Sequence, residues 1–402
     1  MTTIGKHLRR AGCCLATLLL INPALAQREV DPDEVGLSAP RLQRIAELMQ
    51  RHIDARDFAG AVTIVARDNQ IAWQHTQGSM DISAARAMEA DTVFRIMSMT
   101  KPVVAVSALI MVEEGKLRLG DPVSMYIPEL GQLKVAGGED AERDITIRDL
   151  LTHSSGLMSG PAGNNAVEIS LAPGVTLADV IPQLGAAPLE FQPGTRWAYS
   201  PMYGLDVVAR VVEITSGQDF DSFTRERIFE PLGMHSTYFY HEGEDPKLTK
   251  LYHNQGGELV EAPDMPFANG SYLSGGGGLH SSARDYLQFA LALLNDGAWN
   301  GYQLLGERTV EIMRSAHLPD TLPGRSAGEG YGLGVRVVTD SSRKPTWLSD
   351  GSFGWSGAFN THFFIDPEED IVGIYMTQVS GFPGAFTLMD DFETAVMQAI
   401  VD

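Results

Sequence analysis

The chain has 402 residues, with 30 Lys and Arg against 51 Asp and Glu, and a formal charge of −21. A field of that sign repels nucleic acid and anionic membrane surfaces, so it argues against nucleic-acid partners and for an acidic, soluble protein. Both cysteines, Cys13 and Cys14, fall in an N-terminal leader, which leaves the rest of the chain without a disulfide, a thiol nucleophile or a thiolate metal ligand.

Residues 1–26 read as a secretory signal peptide, with Lys6, Arg9 and Arg10, the apolar run CCLATLLLI, and the small-residue site Ala24-Leu25-Ala26 before Gln27. This predicts an exported protein, periplasmic or extracellular, in which 27–402 form one unit without a later membrane span. The stretch LSAPRLQRIAELMQRHIDA has apolar residues at three-to-four spacing and predicts an amphipathic helix with Ser38 near its start. GAVTIVARDN and QIAWQHTQG, around Asp68-Asn69, predict a hairpin. Residues 102–114, PVVAVSALIMVEE, are apolar nearly all round and stop at Gly115, as a helix inside a core does. Helical stretches at 203–215 and 284–296 follow, among loops rich in Gly, Pro and Asp. THFFIDP and DIVGIYMTQ read as strands parted by Glu368-Glu369, and FTLMDDFETAVMQAIV reads as a closing helix. Strands at both ends with helices between predict an α/β (α+β) fold, its sheet lobe drawn from about 27–95 and 330–402 and its helix-rich lobe from about 96–329. A cleft between the lobes is the expected site.

Ser98-Met99-Thr100-Lys101 stands directly before the buried helix. With Ser98 in the first turn, Lys101 lies three residues on and on the same face, and Pro102 is tolerated at an early helical position. A serine hydroxyl is a weak nucleophile until a neighbour takes its proton, and a desolvated lysine can do so. The positive end of the helix favours negative charge growing near Ser98. Alone, a serine three residues before a lysine is a common chance pattern, and a helix-start serine beside a surface lysine is the plain alternative.

FRIMSMTK, followed by GKLRLGDPVSMYIPEL, ITIRDLLTHSSGL, FQPGTRWAYSPMYGLDVVARVVEITSG, IFEPLGMHST and YLSGGGGLHSSARDYLQFALALLNDG, resembles the serine β-lactamase and penicillin-binding-protein superfamily. The likeness is greatest to its class C-like branch, which includes the family VIII carboxylesterases. It implies a β-lactamase/transpeptidase-like fold, with a central antiparallel sheet flanked by helices and a mostly helical second lobe. It implies Ser98 as nucleophile, Lys101 and Tyr199 as the acid–base pair, and the backbone N–H groups of Ser98 and Ala358 as oxyanion donors. No cofactor or metal is implied.

Two departures from the β-lactamase pattern bear on the substrate. Pro201 stands where that pattern has an asparagine amide, and Trp355-Ser356-Gly357 stands where it has Lys-Thr-Gly. The side chains that hold an amide carbonyl and a carboxylate are thus both replaced. Trp355, Ser356 and Gly357 are read as substrate-binding, Gly357 leaving room for the strand to approach substrate. These features point to a serine carboxylesterase acting on small or medium acyl esters through an acyl-enzyme on Ser98, with a small-molecule ester as partner. A β-lactamase or D-amino-acid peptidase, an acyltransferase, and an inactive binding module on the same scaffold remain open.

Gly275–Gly278 lacks the Lys-Ser/Thr of a phosphate loop and reads as a tight connection at a strand edge. His153 reads as a structural residue at a helix-to-loop junction, and no Gly-x-Ser-x-Gly surrounds Ser98. Asp121-Pro122 and Asp366-Pro367 are turn signals. Loops at about 158–190, 238–270 and 315–330 are expected to shape the acyl pocket.

Overall fold

A computed structural model of the protein describes residues 28–265 and 270–401, so the signal segment read at 1–26 lies outside the described residues. The run GAVTIVAR is buried at every position and forms β1 (Gly60–Arg67), which turns back into β2 (Gln70–Asp81). Asp68 and Asn69 take φ of 51° and 65°, as a two-residue turn matched to strand twist requires, and their short polar side chains tolerate it best. After β3 (Arg86–Ala87) the sheet resumes with β4 (Glu329–Tyr331), β5 (Arg336–Val338), β6 (Phe353–Gly357), β7 (Thr361–Asp366) and β8 (Ile371–Met376).

The strand order is β4-β5-β6-β7-β8-β1-β2-β3, antiparallel at each junction. The central junction of the eight strands is the pairing of β7 with β8, and β8 continues onto β1, from Val62 opposite Met376 to Arg67 opposite Ile371. One face carries Ala61, Val65, Phe364 and Tyr375 against α1 (Ala39–Asp54) and the C-terminal helix (Ala385–Met397). The other carries Val62, Ile64, Phe363 and Ile374 into the larger core of the helical lobe. Because both faces are covered, β7 and β8 are buried throughout and read as apolar runs rather than alternating ones.

In the helical lobe lie α2 (Thr100–Glu113), α3 (Ile147–Leu151), α4 (Tyr203–Ser216) and α5 (Ala283–Leu294), and the C-terminal helix is α6. Every residue of α2 from Thr100 to Met111 is buried, and the Ser107 hydroxyl is satisfied by the Val103 carbonyl at 2.8 Å. Short strands Val93–Arg95 and His280–Ser282 pair antiparallel beside the site, a pairing the sequence pattern did not reveal. Helix α6 stops at Met397 rather than running to Val401. The Ser38 N–H bonds the Ala399 carbonyl, and the Val401 N–H bonds the Gly36 carbonyl, tying the two ends together. Ser38 occupies the start of α1 as expected, but its hydroxyl makes no capping bond.

Behind β6, Glu393 of α6 lies 2.8 Å from Arg336 Nη2 and 3.3 Å from His362 Nε2. Burial works to raise the Glu393 carboxyl, but His362 and Arg336 outweigh it and hold it at about 2. A depressed carboxyl stabilises the fold above its ordinary value of 4.5, and that contribution is lost as pH falls toward 2. Glu393→Gln is therefore expected to cost about 3 kcal/mol at pH 7, because it leaves Arg336 poorly compensated. Urea unfolding should show the gap to wild type narrowing below about pH 4.5; a gap constant with pH would contradict this account.

Candidate active site

Met97–Met99 form a tight 3-10 turn that runs directly into α2. Ser98 thus sits one step ahead of the α-helical turn in which it was expected, still three residues from Lys101. Met97 takes φ of 47°, a left-handed conformation that is unfavourable for its side chain and needs support from outside. The support comes from the segment around Leu279 and from α5. The Ile96 N–H bonds the Leu279 carbonyl at 3.0 Å, the Leu279 N–H bonds Thr100 Oγ1 at 3.1 Å, and Tyr286 Oη bonds the Met99 carbonyl at 2.8 Å.

Ser98 Oγ lies 3.0 Å from Lys101 Nζ and accepts a hydrogen bond from Tyr199 Oη at 2.7 Å. Lys101 is fully buried (0 %), and Nζ also donates to the Pro201 carbonyl at 2.7 Å and the Gly276 carbonyl at 2.6 Å. Nζ stands 4.9 Å from the centroid of the Tyr199 ring. With two N–H groups taken by carbonyls, the remaining tetrahedral position on Nζ faces Ser98. That position is a donor in the ammonium and a lone pair in the amine, so one geometry serves both protonation states. Pro201, which removes an amide side chain, contributes its carbonyl instead.

Tyr199 is held by the backbone before α4. The Ala198 N–H bonds the His153 carbonyl at 3.0 Å, and Ser200 Oγ accepts the Gly204 N–H at 3.1 Å and donates to the Met158 carbonyl at 3.3 Å. The Trp197 N–H bonds the Pro323 carbonyl at 2.9 Å. Met158 and Pro323 bring two of the three loops named from sequence up against the tyrosine segment. His153, at φ 57° just past α3, is more than a junction residue. Its ring meets Tyr199 edge-on at 4.8 Å and stacks on Trp355 at 5.9 Å. Burial, aided by the Lys101 charge, pushes its imidazole down to about 3, so it is neutral at any working pH. Trp355 in turn lies 5.8 Å from Tyr199, and Trp197 stacks on Tyr331 at 4.3 Å. Together they make an aromatic wall beside Ser98.

The structure separates Ser356 from this group. It pairs with His362 across β6–β7, on the opposite face of the strand from Trp355, and its Oγ lies 2.9 Å from His362 Nδ1. Gly357 does keep a backbone close, but the partner is the segment leading into the Ser98 turn: a Cβ there would come within 2.3 Å of the Ile96 carbonyl oxygen. Ala358 is exposed and is the first residue beyond β6. The run Gly275–Gly278 is more than a connection, since its Gly276 carbonyl is a partner of Lys101. A Cβ on Gly276 would stand 2.5 Å from Met202 Cα, so only glycine lets this loop lie against the start of α4.

Asp206 was missed by motif reasoning. It is fully buried (0 %) on α4 and accepts from Tyr272 Oη at 2.7 Å, Ser274 Oγ at 2.9 Å and the Gly276 N–H at 2.7 Å. The signal was present in YGLDVVARVV, where one acid interrupts a helix face that must bury Leu205, Val208 and Ala209.

Comparison with known proteins agrees with this architecture. A family model described as Beta-lactamase matches residues 44–397. Protein Rv1367c of Mycobacterium tuberculosis is 34% identical over 360 residues, covering 81% of this chain and 87% of that protein. Esterase EstB of Burkholderia gladioli is 31% identical over 389 residues, covering 89% of this chain and 96% of that protein. Among solved structures, EstCE1, described as a hydrolase with promiscuous acyltransferase activity, superposes with a TM-score of 0.78 at 26% identity, covering 89% of this chain and 99% of that one.

Gly276→Ala is expected to push the loop off α4 and carry its carbonyl away from Lys101. The rate at which a serine-directed phosphonate labels Ser98 should then fall by about tenfold or more, the equivalent of one charge-assisted hydrogen bond. An unchanged rate would mean that the Gly276 carbonyl has no part in setting Lys101.

Proposed function

The chain belongs to the beta-lactamase family, and from that premise we propose that it is a serine carboxylesterase acting on neutral esters of small or medium acyl groups. The observation that carries this reading is Ser98 Oγ between Lys101 Nζ at 3.0 Å and Tyr199 Oη at 2.7 Å, beside a tryptophan rather than a cation. The esterase and hydrolase relatives support it.

In the first step Ser98 Oγ attacks the ester carbonyl carbon while its proton passes to the lone pair of Lys101. The oxyanion is held by the backbone N–H groups of Ser98 and Ala358. Tyr199 gives its proton to the leaving alkoxide oxygen as the C–O bond breaks, and it is reprotonated from Lys101, so the acyl group remains on Oγ. In the second step water surrenders a proton to the same pair and attacks the acyl carbon, releasing the acid and restoring Ser98. The flat face of Trp355 favours an apolar acyl or alcohol group, and the missing amide and cation give a β-lactam or peptide carboxylate little to hold. Export through residues 1–26 is part of the proposal, and an exported protein beginning at Gln27 would support it.

Steady-state turnover of p-nitrophenyl butyrate is expected to exceed that of a chromogenic cephalosporin, and Ser98→Ala should lose at least about 10⁴-fold in kcat on both. Tyr199→Phe should lower kcat by about 10²- to 10⁴-fold while leaving KM within about threefold. Dominant cephalosporin turnover would favour the β-lactamase alternative, and transfer of the acyl group to an added alcohol would favour an acyltransferase. A chain whose Ser98 neither turns over esters nor takes up a phosphonate would be a binding module.

A further inference from the structure

The carboxylate of Asp206 lies behind the acid–base pair and has no place in the mechanism above. Three hydrogen bonds satisfy it, and one of them leads to the reacting group. Its bond to the Gly276 N–H fixes one end of that residue, and the Gly276 carbonyl at the other end accepts from Lys101 Nζ at 2.6 Å, the shortest of that amine's three bonds. Close packing leaves Gly276 little freedom between these two anchors, as the contact with Met202 requires.

We propose that Asp206 is a positioning residue for this reaction. Through Gly276 it holds the Lys101 amine in register with Ser98, and its charge stabilises the ammonium that Lys101 becomes on taking the Ser98 proton. The inference rests on the esterase reading and deepens it. A carboxylate buried only to anchor a loop would be costly where a neutral amide oxygen could accept from Ser274 and Gly276, with the Tyr272 hydroxyl turned to accept from the amide nitrogen. A carboxylate facing a group that gains a positive charge in each half-reaction is favoured electrostatically at that moment.

The titratable groups facing Asp206 are Lys101 from α2, Tyr203 on α4 itself and Tyr272 from the glycine segment, with the neutral His153 on the far side of Lys101. Burial, and then Asp206 itself, raises both tyrosines, so they stay uncharged. Burial pushes the Asp206 carboxyl up to about 6, against the pull of Tyr272, Gly276, Ser274 and Lys101. Asp206 is thus an anion at neutral pH and loses its charge as the pH drops below about 6.

The experiment is the pH dependence of kcat/KM for p-nitrophenyl butyrate, with product quantified by chromatography, in wild type, Asp206→Asn and Tyr272→Phe. Wild type should lose activity through an acid limb near pH 6. Asp206→Asn should lower kcat about 10- to 100-fold at pH 8 with KM within about threefold, and should move the limb to lower pH. Tyr272→Phe removes a donor from the carboxylate, so its limb should move up by about half a unit to one unit. Damage to packing alone would scale the profile without moving its limb in opposite directions. Wild-type kcat with an unmoved limb in Asp206→Asn overturns the proposal. If Asp206→Asn does not fold, an unmoved limb in folded Tyr272→Phe overturns it just as well. No ester turnover in wild type, with Ser98 unlabelled, would overturn the esterase reading itself.

Discussion

A lysine amine removed wholly from water is the constraint around which this molecule is arranged. An unpaired ammonium at the position of Lys101 would cost several kcal/mol and would shed its proton or pull the helix apart. Its partners Ser98, Pro201 and Gly276 are 3, 100 and 175 residues away in the chain. Three segments must therefore reach one point to within a few tenths of an ångström. Burial of α2 on all sides brings the lysine to the centre of the lobe. The start of α4 supplies the tyrosine and a proline carbonyl, and the glycine run supplies the last acceptor because it has no side chain to hold it off. Asp206 ties the second and third of these together.

Much of this arrangement could be read from the sequence, and the remainder has a common cause. The hairpin at Asp68-Asn69, the buried helix and the two C-terminal strands announce themselves by local pattern, whereas Ser98, Lys101 and Tyr199 stand out as a group only through the resemblance to a family. Backbone acceptors carry no such mark. Nothing about Gly276 or Pro201 as letters says that their carbonyls meet a lysine. Gly357 shows only that a Cβ is unwelcome, and whether substrate or the Ile96 carbonyl lies opposite is decided by tertiary contact. Ser356 differs, because strand alternation already required its side chain to leave on the other face once Trp355 faced Tyr199. Asp206 was legible by the same kind of rule, as an acid on a face that had to be buried and so needed partners.

The electrostatics of the site sharpen the case for an uncharged substrate beyond the loss of one lysine. Lys101 is the basic group beside Ser98, and its three bonding positions are taken by Ser98, Pro201 and Gly276. His153 stays neutral, and the Asp206 anion lies just behind the amine. A substrate carboxylate would meet an aromatic wall and a chain whose formal charge is −21. An ester with no charge meets none of these penalties and gains the apolar faces of Trp355 and Tyr331.

Such a wall is useful only if it stays put, and β6 is fixed from both sides. In front, Gly357 lies so near the Ile96 carbonyl that a Cβ there would stand 2.3 Å from its oxygen, and Thr361 Oγ1 on β7 donates to the same carbonyl at 3.1 Å. Behind, Ser356 Oγ lies 2.9 Å from His362, which stands 3.3 Å from Glu393, whose carboxylate is paired with Arg336 at 2.8 Å. The buried ionic cluster therefore fixes the strand that carries Trp355 while its own charges remain on the far face of the sheet. The same charges, placed behind the strand, hold the wall and leave Trp355 facing the rings of His153 and Tyr199. The division of β6 into an apolar front and an ionic back follows from the two-residue period of a strand. It lets one segment carry both a buried ionic brace and the aromatic wall beside Ser98.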